Sequence, residues 1–378
     1  MRLQIKIFLV LFICIFYSCR SESVEDNIII IPSLNEKNQM VSDLVNDVSY
    51  KPLIGDPSLL PLEADRIDFS DQLMVIGDFT FSQMVYAFDK ASGKALPIPL
   101  KKGEGPMEVR GVNDFWLDSG ILYVLDGIGR KIIPFSYSSG NFAQQEAIEL
   151  EIPFRRFAKT KTGFVGLTGG GMEKALAFVN EEGKIISIDI SNSIEFLMSP
   201  INPFLKMTDE NGVKILFHSA FNPEIIRVDN GKIEPFRGIQ YEGELVKKPT
   251  NTDFVKDQEG LNQYRETLIN QPSFFTVFEI TIDQFILVHF LQNSPRLALS
   301  SGGKSSTFRI ENLNNDLSFD NQPFPKVVGV NGSRFVALVS TDQLNRENPP
   351  FSGSALGKAT LVNPDALVFI LEFQLKVD

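Results

Sequence analysis

The chain repeats a two-strand unit, and that repeat constrains its fold more than any other feature. Leu73 to Asp78 (LMVIGD) is followed by a short turn, then by Val85 to Asp89 (VYAFD) and Gly93. Ile121 to Asp126 (ILYVLD) is followed by Lys131 to Phe135 (KIIPF) and Gly140. Ile215 to His218 (ILFH) is followed by Glu224 to Asp229 (EIIRVD) and Gly231. Each unit is an apolar strand ending in a polar residue, a loop, a second strand and a glycine turn. Asp78 and Asp126 are 48 residues apart, which matches propeller blades of roughly 40 to 50 residues.

Weaker copies fill the rest. Phe164 to Thr168 pairs with Leu176 to Val179 and Gly183, and Phe285 to His289 with Arg296 to Leu299. Arg334 to Ser340 opens the last unit. The expected fold is therefore all-β, a six-bladed β-propeller of four-stranded antiparallel blades. Its 32 Phe among 378 residues suit sheet-packed interiors. A closed ring also removes the long exposed edges that make open sheets aggregate.

One stretch breaks the rhythm. His218 and His289 lie 71 residues apart, about 20 more than one blade needs. Residues 251–270 lack strand alternation and place Phe254, Leu261, Tyr264 and Leu268 at near-helical spacing. A short helical insertion is expected there, entered at Asn251, Thr252 or Asp253, as one helix or as two short pieces about Gly260.

The first residues read as an address. Arg2 and Lys6 precede an apolar run from Ile7 to Tyr17, too short to span a bilayer as a mature helix. Ser18-Cys19 at its end has the small-residue-plus-Cys form of a bacterial lipobox. The expected organisation is a lipoprotein signal peptide at 1–18, a lipid-anchored tether at 19–40 and the propeller at 41–378. With lipid on Cys19 and Cys14 removed, no thiol remains for a disulfide, a nucleophile or a zinc site. Glu22, Glu25 and Asp26 make the tether polar and acidic. Acids outnumber Lys plus Arg by 47 to 36, so no broad phosphate-binding surface and no nucleic-acid partner are expected.

Three segments carry a family resemblance. Asp47 to Leu53 (DVSYKPL) resembles the opening strand of the six-bladed β-propeller lipoproteins of Bacteroidetes-type bacteria. Gly103 to Glu108 (GEGPME), followed by Asp114-Phe115, is similar to their first inter-blade loop. Asn363 to Lys376 (NPDALVFILEFQLK) is similar to their closing strand. Gly103 to Gly140 also resembles one NHL-like propeller repeat. The resemblance implies a fold and a cell-envelope location, and no reaction, because propellers host many functions; Arg20 after Cys19, in place of the Asp that marks inner-membrane retention, makes the outer membrane the expected address, in either leaflet.

Ring topology says where chemistry would gather. If strands run a, b, c, d from axis to rim, the d–a and b–c connections share one face. Asp78, Asp126, Thr168, His218, His289 and Ser340 would all end strand b, a polar tier beside the Lys101 to Arg110 loop. Lys101, Lys102, Glu104, Glu108, Arg110, Asp78 and Asp126 are the expected ligand-binding residues. Asp78 and Asp126 have a simpler use, capping turns through backbone amides. Gly103 and Gly105 serve equally to turn the chain. His218 and His289 follow near-identical strands, and a third His, Asp or Glu would complete a divalent metal site. No His-x-x-x-His or Glu-x-x-His spacing supports one, and no Gly-x-Ser-x-Gly elbow occurs. The expected function is a non-catalytic, lipid-anchored binding or scaffold module without a cofactor, touching the membrane only through lipid. Its partner would be a peptide, a glycan or an outer-membrane transporter. The rival is a metal-assisted, lactonase-like hydrolase or lyase using the His/Asp tier.

Overall fold

Each repeat folds as the middle two strands of a four-stranded antiparallel sheet. The computed structural model describes residues 28–376 except 33, 36, 169–175, 190–201, 210–211, 219–223, 230, 242–243, 246–277, 281–283, 292–293, 302–303, 318–323, 341–354 and 364. The expected helical insertion at 251–270 lies outside the described residues.

Four strands precede the first blade: β1 (Ile28–Ile31), β2 (Leu34–Asn35), β3 (Gln39–Met40) and β4 (Val45–Pro52). Blade one is β5 (Arg66–Phe69), β6 (Leu73–Asp78), β7 (Met84–Asp89) and β8 (Ala95–Leu96). Blade two is β9 (Asp114–Asp118), β10 (Ile121–Asp126), β11 (Lys131–Ser138) and β12 (Asn141–Gln144), with β13 (Ile148–Glu149) also on β11. Blade three is β14 (Phe154–Thr160), β15 (Gly163–Thr168), β16 (Leu176–Asn180) and β17 (Ile185–Asp189). Blade four is β18 (Phe204–Asp209), β19 (Gly212–Phe217), β20 (Glu224–Asp229) and β21 (Lys232–Tyr241), with β22 (Glu244–Leu245) on β21. Blade five is β23 (Phe278–Ile280), β24 (Gln284–Leu291), β25 (Ser294–Ser301) and β26 (Lys304–Arg309), followed by β27 (Leu313–Asn314). Blade six takes β28 (Val327–Asn331), β29 (Arg334–Ser340) and β30 (Val368–Leu375) from the end of the chain, after the helix α1 (Ala355–Val362).

The ring is closed from both termini. β30 is the third strand of blade six, and its fourth is β4, paired antiparallel in the register Ile370 to Lys51 and Leu371 to Tyr50. The innermost strands β5, β9, β14, β18, β23 and β28 each contact the next, and β28 contacts β5. Apolar clusters bridge the blade boundaries in turn. Ile67, Met74 and Phe88 of blade one pack with Val328, Val336 and Ile370 of blade six. Trp116, Phe157, Phe164, Phe204 and Phe217 form one core through blades two, three and four. A blade so sandwiched is buried on both faces, which is why β6 reads as a continuous apolar run and not an alternation.

Local sequence sets the turns. Ser119 and Gly120 between β9 and β10 both have positive φ, 49° and 80°, the type I′ geometry that suits strand twist. Gly329 on β28 answers a different need. A Cβ there would stand 2.2 Å from the Ile67 carbonyl oxygen of blade one, so glycine lets the first and last inner strands meet.

Strands β1, β2 and β3 form a strap along the rim: β1 pairs parallel to β21, β2 to β26 and β3 to β27. Ile29 and Ile31 are buried against blade four and Ile30 points out. The strap covers the outer edges of blades four and five, which would otherwise offer unpaired amides and carbonyls. Among the described residues no helix is long and apolar enough to cross a membrane.

Candidate functional site

The expected mouth forms, with a different character. The loop from Lys101 to Arg110 folds on itself, Val109 N donating to Lys101 O and Gly103 N to Val109 O, each at 2.9 Å. Glu108 Oε2 accepts from Gly105 N at 3.0 Å, and a Cβ on Gly103 would meet the same oxygen at 2.0 Å. Lys102 Nζ donates to Ser82 O, and Lys131 Nζ to Gly105 O. Arg110 N donates to Asp126 Oδ2 at 3.0 Å, which fixes the loop over blade two. Glu104 and Arg110 make an exposed pair at 3.6 Å. The structure thus brings Lys102, Glu104, Glu108, Arg110 and Asp126 together, and spends most of their polar groups on the loop itself.

The strand-b tier is not an open ring of ligand groups. Asp78 and Asp126 are fully buried. Asp78 Oδ1 accepts from Phe81 N at 2.9 Å, and Asp126 Oδ1 from Gly129 N at 2.8 Å. Both carboxylates cap their own b–c turns, because the d–a loops lie over the strand ends and keep water out. Thr168 is buried as well. His218 is buried with Nε2 3.1 Å from Asn202 O. A carbonyl only accepts, so Nε2 carries the proton, and burial pushes the pKa down to about 3. The expected metal pair therefore has one member held as a neutral donor inside blade four. The His289 side chain lies outside the described residues; its backbone pairs with Arg296. Among the described residues no group of three or more His, Cys, Asp or Glu is arranged to hold a metal ion.

A second constellation lies on the inner strands. Arg66 Nη1 and Asp114 Oδ1 are 3.0 Å apart and both side chains are buried. Burial raises the Asp114 pKa, while Arg66, Arg156 and the Phe157 and Phe115 amides pull it back. The Arg66 guanidinium also stands 4.7 Å from the Trp116 ring centroid. Lys206 Nζ reaches Asp68 Oδ2 at 2.7 Å and Leu117 O at 2.5 Å, and lies 4.9 Å from the Trp116 ring centroid. Asp65 holds the Phe79 and Thr80 amides with Oδ2, while Oδ1 is 3.4 Å from Lys326. Three of these charged residues, Arg66, Asp68 and Lys206, bound a cavity of about 30 Å³ on the axis together with Asn202. That is room for a water molecule or two.

Toward the face bearing the a–b turns the space widens. A funnel of about 300 Å³ is lined by blade two at Trp116 and Asp118, blade three at Lys159, Thr160 and Lys161, and blade four at Lys206, Val213, Lys214, Ile215, Arg227, Val228 and Asp229. Its volume is at the lower end of small-molecule sites. Lys206 belongs to both funnel and axial cavity. This face is opposite the expected mouth. The b–c repeat could not point to it, because strand a lines the axis. The available signal was the alternation of polar residues in the short strands before each repeat: Arg66 and Asp68, Asp114 and Asp118, Lys159 and Lys161, Lys206.

The model of a family described as a domain of unknown function, DUF4934, matches residues 27–359. A candidate exported protein of Bacteroides fragilis shares the fold at 16% identity and a TM-score of 0.71, covering 92% of this chain and 100% of its own. A member of the DUF4221 family from Bacteroides vulgatus aligns at 11% identity and a TM-score of 0.49, over 89% of this chain and 98% of its own. No curated protein matches the chain.

Proposed function

The chain belongs to the DUF4934 family, and we propose that it is a non-catalytic binding module of the bacterial envelope, held to the outer membrane by lipid on Cys19. The observation that carries the binding role is the funnel: three blades converge on about 300 Å³ bounded by five cationic side chains and two carboxylates. A concave site with a few convergent polar groups on a rigid ring is where a small ligand is expected. The short apolar leader ending at Cys19 supports the envelope address. The exported description of the Bacteroides fragilis neighbour agrees with that address.

The mouth on the opposite face serves the fold in this reading. Its loop is braced by Glu108, Lys131 and Asp126, and what it exposes besides Lys101, Lys102, Pro106 and Met107 is the Glu104–Arg110 pair. A thermal-denaturation screen of the soluble domain against small envelope metabolites tests the assignment. A stabilising compound should lose its effect in Lys214→Gln or Arg227→Gln protein and keep it in Glu104→Ala protein. The reverse pattern would move the site to the Lys101–Arg110 mouth.

A further inference from the structure

We infer that the face carrying the 101–110 loop lies on the membrane, with the apolar tips of blades one and two entering the bilayer interface; this rests on the lipid anchor proposed above. Exposure is the first ground. Phe81 in the b–c turn of blade one is 61% exposed, and Ile128 in that of blade two, between Gly127 and Gly129, is 64% exposed. Met107 in the loop joining the two blades and Leu59, one 48-residue repeat earlier, are equally exposed at 38% and 37%. Leu62 beside it is 71% exposed. None of the five belongs to an apolar cluster of the core. Turn tips ordinarily carry Gly, Pro, Asn, Asp or Ser, and an apolar patch that the fold leaves in water marks a contact surface.

Continuity is the second ground. Lys102 Nζ donates to Ser82 O and Val112 N to Gln83 O, tying the loop to the turn that bears Phe81. Arg110 N donates to Asp126 and Lys131 Nζ to Gly105 O, tying the same loop to the turn that bears Ile128. Phe81, Met107 and Ile128 therefore stand on one braced surface. The opposite face differs in chemistry. Its a–b turns at Asp71-Gln72, Ser119-Gly120 and Lys161-Thr162, and its c–d turns at Ala91-Ser92, Ser139-Gly140 and Glu181-Glu182, present small or polar residues.

Reach is the third ground. Ile28, the first residue of the strap, is nine positions after Cys19, at most about 30 Å of chain. A six-residue blade strand such as β6 is about 20 Å long, so a bilayer holding Cys19 is in reach of either face. The apolar tips choose between them. Charge does not: residues 78–83, 97–112 and 126–131 together hold five Lys or Arg against four Asp or Glu. Apolar contact therefore drives insertion, and the long Lys and Arg stems keep their heads at the lipid–water boundary. Two membrane signals hold a protein where one is marginal. In this orientation the funnel opens away from the lipid.

The chain from Cys19 onward has a single thiol. Coupling it to a maleimide phospholipid in phosphatidylcholine vesicles with brominated acyl chains places the domain on lipid whether or not the cell acylates Cys19. Trp116, the one native tryptophan, is buried and gives a constant background. Phe81→Trp and Ile128→Trp should each shift emission to the blue and lose intensity to bromine, and added salt should reverse neither. Gln72→Trp, in the a–b turn of blade one, should do neither. Met107→Trp reads the same surface if a turn variant melts below the wild type. Emission unquenched at 81 and 128 on the vesicle-bound chain would overturn the inference and leave the tips to a protein partner. Quenching at 72 would place the funnel face on the membrane and overturn it equally. Neither result touches the anchor itself, which is judged by lipid mass on the native N-terminal peptide.

Discussion

Lys206 of blade four and Asp68 of blade one meet at 2.7 Å across the axis, joining blades that stand opposite each other in a ring of six. The side chains are 20% and 12% exposed, so the pair sits largely out of water while Lys206 also forms the funnel floor. Removing one partner strands the other charge. Lys206→Met should destabilise the domain by about 3 kcal/mol, and adding Asp68→Asn should recover much of that loss. Chemical denaturation of the single and double variants checks it. A single variant as stable as the wild type would show that the cross-axis contact holds nothing.

Ring closure gives the second prediction. Phe369, Ile370, Leu371 and Phe373 of β30 are fully buried, and β4 covers their outer edge. A chain beginning at Leu53 loses β4 and the strap together and should be protease-sensitive or insoluble. A chain beginning at Ile28 should melt as the full domain does. Native melting of the shorter fragment would show that β4 does not close the ring.

His218 sets a pH dependence. Its folded pKa is about 3, against about 6.5 in an unfolded chain. Between those values the unfolded state takes up a proton that the folded state refuses. The contribution of the neutral ring is fully present above about pH 6.5 and falls as pH drops toward 3. His218→Gln keeps a donor for the Asn202 carbonyl without the titration, so its stability should vary less between pH 6.5 and 4. A parallel decline in both proteins would assign acid sensitivity elsewhere.

Membrane attachment is tested at Cys19. One acyl chain holds a protein marginally and two or more hold it stably, so Cys19→Ala should move the protein from the membrane to the soluble fraction. Continued membrane retention, with no lipid mass on the N-terminal peptide of the wild type, would refute the anchor.

The blades were legible in the sequence because their middle strands are squeezed between neighbours. LMVIGD and ILYVLD therefore repeat as unbroken apolar runs closed by an Asp that caps a turn. The same Asp looked like a ligand for the same reason: a polar residue at a strand end satisfies backbone amides as readily as it binds a solute. The rim strap was hidden because IIII at 28–31 carries no partner information; its pairing with residues 238–241 is a property of the closed ring. The funnel was hidden more deeply. Lys159, Lys206 and Arg227 come from three strands on two blades and share no motif. Only the position of strand a next to the axis unites Lys159 with Lys206.

The most direct measurement of the central claim is hydrogen–deuterium exchange on the domain with and without the first compound that stabilises it. Binding in the funnel should slow exchange in the a–b turns at 118–121 and 160–163 and at the start of β19, 212–215, while the 101–110 loop stays unchanged. Protection confined to the 101–110 loop would contradict the account and place the site on the opposite face.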